Sequence, residues 1–404
     1  MQIKGNYTCI FGGGAVRGYA YVGAIKALKE LNICVKTFAG SSVGSIVASL
    51  LAVGCSADEI KDILKDVNFE LFKDIHFSIN KDFALSKGNI FTEWIREAIE
   101  KKFYGEEYKK GKNKPVTFKD ISKNLVVLTT DLNTFTPLEF STFETPDFEI
   151  ATAVRISCSM PGLMTPIEIE NKRLVDGDLL KGIPLWKLSN NINTPDSRII
   201  EFRLEGENVR KDGNTFDFLN SIYSCMTSAS TDFIMDEFGE NDRYDYIKIT
   251  TGGIIVIDFN ISEEVKERLI EMGYTDTTDY LTNHFISKKL KIANYYERII
   301  NLLEKLIREI KYRNTEKSIN LLKELYLFLS DKYKFIDSDI LESLLTLKND
   351  ILSAPTKPSF FVNKKFKENT SLLANAEILK KVITVKKEEL ISYVENVGHT
   401  THPL

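Results

Sequence analysis

The sequence lacks the features that mark several large classes of protein. Its 404 residues carry 53 lysines and arginines against 57 aspartates and glutamates, so there is no basic excess to neutralise nucleic-acid phosphates. No unbroken apolar run approaches the roughly 18 residues that a membrane-spanning helix needs, and the apolar run near residue 10 is too short for a secretory signal. We therefore expect no nucleic-acid partner, a cytoplasmic location and only peripheral contact with membranes.

Cysteine and histidine are also scarce. The five cysteines lie far apart without a C-x-x-C pair, which suggests neither a zinc site nor a disulfide framework. We also predict no metal and no cofactor. Of the four histidines, His399 and His402 lie in the terminal "GHTTHPL", and neither His76 nor His284 stands beside a catalytic partner motif. A histidine-based catalytic triad is not favoured, although His76 and His284 stay open as alternative bases.

Strand and helix patterns alternate regularly over the first 180 residues. The apolar runs "YTCIF" and "VKTFAG" lead into the helical patterns "YAYVGAIKALKEL" and "VGSIVASLLAVG". This alternation predicts an α/β fold whose large parallel sheet is covered by helices on both faces. Further strands are predicted at "LVVLTTDL", "PLEFST", "TPIEIE", "RIIEFRL" and "YDYIKIT", and helices near 92–103, 148–157 and 214–238.

The composition shifts near residue 288 to lysine, leucine, isoleucine and glutamate, and strand patterns end there. We predict a first domain over 1–288 and a helical C-terminal region over 289–404. A packed helix is predicted there, which forms a hairpin with "SINLLKELYLFL" or docks onto the first domain, and "SAPTKPSFF" interrupts the helical pattern. The apolar seam of that helix has steps of four and three residues: Ile292, Tyr296, Ile299, Leu303, Leu306 and Ile310.

A glycine-rich loop, "GGGAVRG", follows the first strand and precedes a helix. Such a loop can bind a nucleotide phosphate, but Ala15 replaces the middle glycine of a dinucleotide motif, and the next strand ends without an acidic residue. The alternative is that backbone N–H groups of this loop stabilise an oxyanion, which requires a nucleophile nearby.

The second strand ends in "GSSVGSI", which has the G-x-S-x-G pattern around Ser42. Strand, tight turn, serine and helix together are typical of a nucleophile elbow, with Gly40 and Gly44 allowing the sharp reversal. Ser42 can equally be a serine that only caps the following helix. A candidate base is Asp176 in "RLVDGDLL", which otherwise reads as an aspartate in an ordinary D-G turn.

Taken together, these segments resemble the patatin-like phospholipase family. The resemblance covers residues 1 to about 285 and rests on four segments in order: the glycine loop, the serine turn, "VVLTTDLNT" and "AVRISCSMPGLMTPIEIENKRLVDGDLL". It implies a three-layer α/β/α sandwich with a mainly parallel sheet, and hydrolysis of phospholipid acyl esters by a Ser42–Asp176 dyad. By the same resemblance, Gly13 and Gly14 would form the oxyanion hole, supported by Gly12, Arg17, Gly18, Gly40, Gly44 and Gly177.

The sequence departs from the family pattern at three places. Ala15 replaces a common glycine, Asp178 stands where glycine or alanine usually follows D-G, and the asparagine expected before the proline is missing near Gly182. Asp178 could act on Asp176 or point to solvent. Arg17 could orient the glycine loop, meet a lipid phosphate or form a structural ion pair.

The resemblance makes a phospholipid or membrane surface the expected partner. "KKFYGEEYKKGKNKPVTFK" places seven lysines among aromatic residues, which suits an anionic headgroup layer or a solvated polar loop. By analogy with bacterial patatin-like effectors in antiphage (antiviral) defence, the helical region would gate the site, form a homo-oligomer or bind a small-molecule activator. A soluble carboxylesterase or thioesterase, and a non-catalytic lipid or nucleotide sensor, stay open as alternative functions.

Overall fold

A computed structural model describes residues 6–65, 74, 84–180, 197–206, 244–254, 261–312, 314–332, 340, 342–347 and 362–398. The described chain divides into two compact units, which we call the sheet unit, up to Tyr280, and the helical unit, from Leu281. The boundary near residue 288 stays a prediction. The predicted helix over 214–238, the "SAPTKPSFF" break, His76, His399, His402 and the position near Gly182 lie outside the described residues.

An eight-stranded mixed sheet forms the centre of the sheet unit. Its strand order is β10-β9-β1-β2-β4-β8-β7, and β5 pairs with β4. The first five strands in this order are mutually parallel, whereas β5, β7 and β8 pair antiparallel with their neighbours. The strands are β1 Asn6–Phe11, β2 Val35–Ser41, β4 Asn124–Asp131, β5 Thr136–Ser141, β7 Ile167–Ile169, β8 Lys172–Asp176, β9 Ser197–Glu205 and β10 Tyr244–Thr250.

Helices lie on both sides of this sheet, and a small parallel pair of strands, β3 Ala84–Ser86 and β6 Gly162–Met164, stands apart from it. The central strands β1 and β4 are buried along nearly their whole length, as expected for parallel strands covered on both faces. The predicted α/β class with a helical C-terminal region is therefore confirmed. The helices of this unit are α1 Tyr19–Glu30, α2 Val43–Ala52, α3 Ala57–Lys65, α4 Asn89–Tyr104, α5 Ile150–Ser157 and α6 Glu263–Asp279.

Helices α1 and α6 touch backbone to backbone, although more than 200 residues separate them in the chain. A Cβ added at Gly23 would clash with the Ile270 carbonyl, and one added at Gly273 would clash with the Ala20 carbonyl. Glycine is needed at both positions because no side chain fits between the two helices. Tyr274 adds a hydrogen bond of 2.6 Å from its hydroxyl to Glu30.

The helical unit has an apolar core of its own. After a π-helical turn at Tyr280–His284, its helices are α7 Phe285–Lys311, α8 Thr315–Lys332 and α9 Val362–Gly398, and α7 packs against both others. Five members of the predicted seam, from Ile292 to Leu306, are buried, and Ile310 is half-buried against them. In the part of the chain that the structure describes, no helix is both long and apolar enough to cross a membrane.

Candidate active site

Ser42 lies at the turn between β2 and α2 in a backbone conformation that side chains rarely adopt. Its φ of 51° and ψ of −131° fall in a costly region for any residue with a Cβ. Ser42 occupies the N-cap position of α2, yet its hydroxyl makes no capping hydrogen bond, so helix capping does not explain this serine. A Cβ at Gly44 would clash with the Phe11 carbonyl, and one at Gly40 with the Gly44 carbonyl, so both glycines are sterically required.

The serine turn and Asp176 both lie along one edge of β4. Strand β5 occupies the other edge of β4, where it pairs with residues from Val126 to Asp131. Strands β2 and β8 therefore pair, one after the other, with the edge that β5 leaves free. Ser41 at the end of β2 pairs with Leu128, and Asp176 at the end of β8 pairs with the next residue, Thr129. Residues that face consecutive positions of one strand edge lie close together, so the fold places Ser42 and Asp176 at one point of the sheet.

A serine bridge connects the same pieces of backbone. The Ser42 N–H donates to Ser157 Oγ over 3.0 Å, and the Ser157 hydroxyl donates to the Leu128 carbonyl over 2.6 Å. Asp176 is fully buried; its own N–H donates to the Ser159 carbonyl, and its Oδ1 accepts the Asp178 N–H over 2.8 Å. Helix α5 and the residues after it therefore hold both the serine turn and the aspartate strand.

The glycine loop packs directly onto the serine turn. A Cβ at Gly13 would lie 3.0 Å from Ser42 Cβ, and one at Gly18 would clash with Val43. Gly14 has a φ of 153° and Ala15 a φ of 45°, so Ala15 adopts a left-handed conformation that favours glycine.

The N–H of Gly13 has a partner within the protein. It donates to Asp178 Oδ1 over 3.1 Å, whereas the Gly12 N–H donates to the Phe202 carbonyl. In this arrangement Gly13 does not direct its proton at a substrate, so its predicted place in the oxyanion hole requires a different loop arrangement and stays a prediction. The predicted role of Gly14 also stays a prediction.

Arg17 anchors the loop from its other side. Its Nε and Nη2 donate to the Ile254 carbonyl over 2.8 and 2.5 Å. Burial lowers the pKa of this guanidinium below its ordinary value. Of the roles left open by the sequence, these contacts fit the orientation of the loop.

Next to Ser42 lies a mainly apolar cavity of about 60 Å³. Lys266 also lines it; this side chain pairs with Glu263 and lies over the ring of Tyr19. The cavity is suited to an apolar chain, because few polar groups there would lose water when it is filled. Its apolar lining comes from the glycine loop, α1, α2, α4, the segment before β6 and β6 itself, including Val16, Tyr19, Val43, Ile46, Phe91, Cys158, Met160 and Leu163.

Cys158 lies in the cavity wall, where its surroundings disfavour the thiolate form. Burial raises its pKa far above the ordinary value, and the nearby carboxylate of Asp176 raises it further. Its Sγ lies 3.8 Å from Ser45 Oγ. Because the thiolate is the nucleophile, the raised pKa argues against attack by this sulfur.

A buried charge network next to the serine turn was not predicted. Asp178 accepts hydrogen bonds from the Ser41 hydroxyl over 2.8 Å and from Arg203 Nη1 over 3.3 Å, and Arg203 also pairs with Glu201 over 2.5 Å. Asp178 is 1% exposed, so it does not point to solvent. Burial lowers the pKa of Arg203, but the carboxylates of Glu201 and Asp178 outweigh this effect and raise it above its ordinary value.

One signal for this network was present in the sequence. Glu201 and Arg203 are two residues apart in the predicted strand "RIIEFRL", so both point to one face of a strand that should be buried on both faces. Two opposite charges there require a partner inside the fold. His284 lies in the π-helical turn of the helical unit, and among the described residues no cluster of three metal-binding side chains is found.

The sequence was compared with family profiles and with known proteins, and both comparisons point to one family. The sequence profile described as patatin-like phospholipase matches residues 9–188, which include the glycine loop, Ser42 and Asp176. An uncharacterized protein of Acanthamoeba polyphaga mimivirus is 31% identical over 65% of this chain and 89% of its own length. A probable lipid hydrolase of Invertebrate iridescent virus 6 is 29% identical over 46% of this chain and 64% of its own length.

Among solved structures, VipD from Legionella pneumophila is similar over 99% of this chain and 93% of its own, with 16% identity and a TM-score of 0.48. The profile match and the mimivirus relative fit the order of sequence segments and the strand, turn and helix geometry around Ser42. The chain belongs to the patatin-like phospholipase family.

Proposed function

We propose that the chain is a lipid acyl hydrolase of phospholipase A type, in which Ser42 is the nucleophile and Asp176 the general base. The observation that carries this proposal is the strand pairing that places Ser41 and Asp176 opposite consecutive residues of β4. Family membership supports lipid hydrolysis, and the apolar cavity beside Ser42 suits the acyl chain of such a substrate.

In the proposed reaction, the Ser42 hydroxyl gives its proton to the Asp176 carboxylate while Oγ forms a bond to the ester carbonyl carbon. The tetrahedral oxyanion is held by the glycine loop through the N–H of Gly14, because the N–H of Gly13 is engaged by Asp178. It collapses as the bond to the leaving alcohol breaks, and Asp176 returns the proton to that alcohol, which leaves as the lysolipid. Water then attacks the acyl-serine, passes a proton through Asp176 to Ser42 Oγ, and releases the fatty acid.

The nucleophile can be tested by covalent labelling. A fluorophosphonate should label the wild-type chain on Ser42, and Ser42→Ala should not be labelled. Ser49→Ala is a matched control, because Ser49 is equally buried on the same helix and lies outside the site. Wild-type labelling at another residue, or none, would contradict the assignment and favour a non-catalytic lipid or nucleotide sensor.

The base and the substrate class can be tested by mass spectrometry of lipids after incubation with the protein. We expect free fatty acid and lysolipid from the wild type, and a loss of product of at least about 10³-fold in Asp176→Ala. Equal product from both proteins would exclude the dyad. Activity on short soluble esters with none on phospholipid vesicles would favour a soluble carboxylesterase or thioesterase.

We further propose that the chain works in the cytoplasm and meets membranes through the lysine-rich segment 101–119. Several of its lysines pair with acidic neighbours, which lowers the charge available to lipid: Lys101 and Lys110 with Glu97, Lys102 with Glu59 and Lys119 with Asp147. Lys109, Lys112 and Lys114 are exposed, and Phe103 is also exposed on the preceding helix. These residues are the part of the segment best placed to contact an anionic surface.

Charge reversal can distinguish a specific membrane-binding surface from a general effect of net charge. Lys109, Lys112 and Lys114 changed together to Glu should weaken binding to anionic vesicles at low salt by at least about tenfold. The control changes the exposed Lys29, Lys36 and Lys172 to Glu, which alters the net charge equally at other positions. Equal binding by the two triple variants would contradict a specific membrane surface.

A further inference from the structure

Asp178 contacts every segment that the proposed mechanism needs. Its Oδ1 accepts the N–H of Gly13 in the glycine loop over 3.1 Å and the hydroxyl of Ser41, the residue before the nucleophile, over 2.8 Å. Its own N–H donates to Asp176 Oδ1 over 2.8 Å. One residue therefore links the oxyanion loop, the nucleophile turn and the base by direct hydrogen bonds.

Arg203 offsets the desolvation free energy of the buried Asp178 carboxylate by pairing with it. Arg203 is 3% exposed and lies between Asp178 and Glu201, with Nε donating to Glu201 over 2.6 Å. Tyr244 completes the cluster by donating to Glu201 over 2.6 Å. Removing such charges from water costs free energy that an apolar cluster of similar volume would avoid, so a buried ion network is poorly explained by stability alone.

The fit around Asp178 is also tight. A Cβ on Gly13 would clash with the Asp178 carboxylate and lie 3.0 Å from Ser42 Cβ. The carboxylate thus fills the space between the glycine loop and the serine turn, and a shift of its position would be transmitted to both. Misplacement of reacting groups by about 1 Å can cost about 10²-fold in rate.

We propose that Asp178 is a positioning residue that fixes the glycine loop, Ser42 and Asp176 in register, with Arg203 holding it in place. The proposal rests on the function proposed above for Ser42 and Asp176. Asp178 acts through its neighbours: its Oδ1 is engaged by Gly13, Ser41 and Arg203. It sets geometry and does not itself exchange a proton with substrate.

The test compares three variants in the full chain: Asp178→Ala, Asp178→Asn and Glu201→Gln. Asparagine keeps an oxygen that can accept from Gly13 and Ser41, whereas alanine removes it. Glu201→Gln removes one charge from the same buried cluster; the Glu201 carboxylate accepts hydrogen bonds from Arg203 and Tyr244. The readouts are the rate of fluorophosphonate labelling at Ser42, kcat and KM for a short soluble ester, and the thermal midpoint.

We expect Asp178→Ala to slow labelling and lower kcat by about 10²-fold, with KM changed by less than about threefold. Asp178→Asn should recover most of this loss, to within about tenfold of the wild type. Glu201→Gln should lower the thermal midpoint but keep labelling and kcat within about threefold of the wild type, since it leaves the bonds to Gly13, Ser41 and Asp176 in place.

The proposal is overturned if Asp178→Ala labels as fast as the wild type, or if all three variants lose activity in proportion to their thermal midpoints. Should Asp178→Ala fail to fold, Ser41→Ala removes one donor to Asp178, and an unchanged kcat in that variant would overturn the proposal equally. Wild type that labels at Ser42 but cleaves no phospholipid would contradict the substrate class alone. Wild type that does not label at Ser42 would overturn both proposals.

Discussion

The sheet unit and the helical unit bury different kinds of side chain. In the described part of the sheet unit, charged groups such as Asp176, Asp178 and Arg203 are buried together with several serines and threonines. In the described part of the helical unit the buried residues are almost all aliphatic or aromatic, and the polar exceptions are Lys289 and Ser318. Buried polar groups cost stability unless paired, so their concentration is expected in the unit that holds the proposed active site.

The largest expected effect comes from removing the cation of the buried network. Arg203→Met leaves Glu201 and Asp178 buried without their cation, which should lower the free energy of unfolding of the sheet unit by about 3–5 kcal/mol. The control is Lys248→Met, which breaks the pair between the exposed Lys248 and the half-buried Glu205 and should cost at most about 1 kcal/mol. Urea unfolding followed by fluorescence and circular dichroism measures both, and equal losses would show that burial of the charge is unimportant.

The corresponding change in the helical unit removes only apolar contacts. Leu303 is fully buried in its core, and Leu303→Ala should cost about 3 kcal/mol through lost burial and a residual cavity. Leu327 on α8 is 66% exposed, so Leu327→Ala should cost less than about 0.5 kcal/mol. A similar cost for the two variants in urea unfolding would refute the described core.

Two buried serines allow a finer comparison of the units. Ser157 accepts from Ser42 and donates to Leu128, so Ser157→Ala leaves two backbone groups without that partner and should cost about 2 kcal/mol. Ser318 donates to the Asn314 carbonyl within its own helix, and Ser318→Ala should cost about 0.5 kcal/mol. Only the first change should also slow fluorophosphonate labelling of Ser42. An equal cost in urea unfolding would contradict the bridging role of Ser157.

The mildest test leaves the sequence unchanged and uses thiol alkylation. Because burial and Asp176 raise the pKa of Cys158, little thiolate forms there at pH 8, and iodoacetamide should modify it at least about 10²-fold more slowly than the exposed Cys34. Peptide mass spectrometry reads both sites. In urea both thiols should react at similar rates, and fast native alkylation of Cys158 would contradict the buried wall of the cavity.

The sequence predicted the parts of the site that have a local signature. Ser42 lies in a strand, turn and helix pattern whose glycines are close in the chain. A side chain at Gly40 would clash with Gly44, only four residues away, so a short stretch of sequence is enough to show that this glycine is required. The long strands and helices were predictable because their hydrophobic patterns extend over many residues. The strands β3 and β6 were not predicted, because "ALS" and "GLM" lack the apolar–polar alternation that "IEI" shows in the equally short β7.

The hydrogen-bond network of Asp178 could not be predicted from the sequence, because its members are far apart in the chain. Its hydrogen bond to Ser41 joins residues 137 positions apart, and its contact with Gly13 spans 165 positions, so no local pattern records either. From the sequence, Asp178 could equally face solvent or Asp176. Only the side-by-side arrangement of β2 and β8 on one edge of β4 decides between these outcomes.

The meeting of α1 and α6 through Gly23 and Gly273 sets a lower limit on the length of an independently folding fragment. The family profile ends at residue 188, but the helix that closes over α1 begins at Glu263. A fragment cut at the profile boundary would leave the Gly23 face of α1, the helix that follows the glycine loop, without its packing partner. We therefore expect a fragment that folds on its own to extend at least through Asp279, well beyond the residues that the family profile matches.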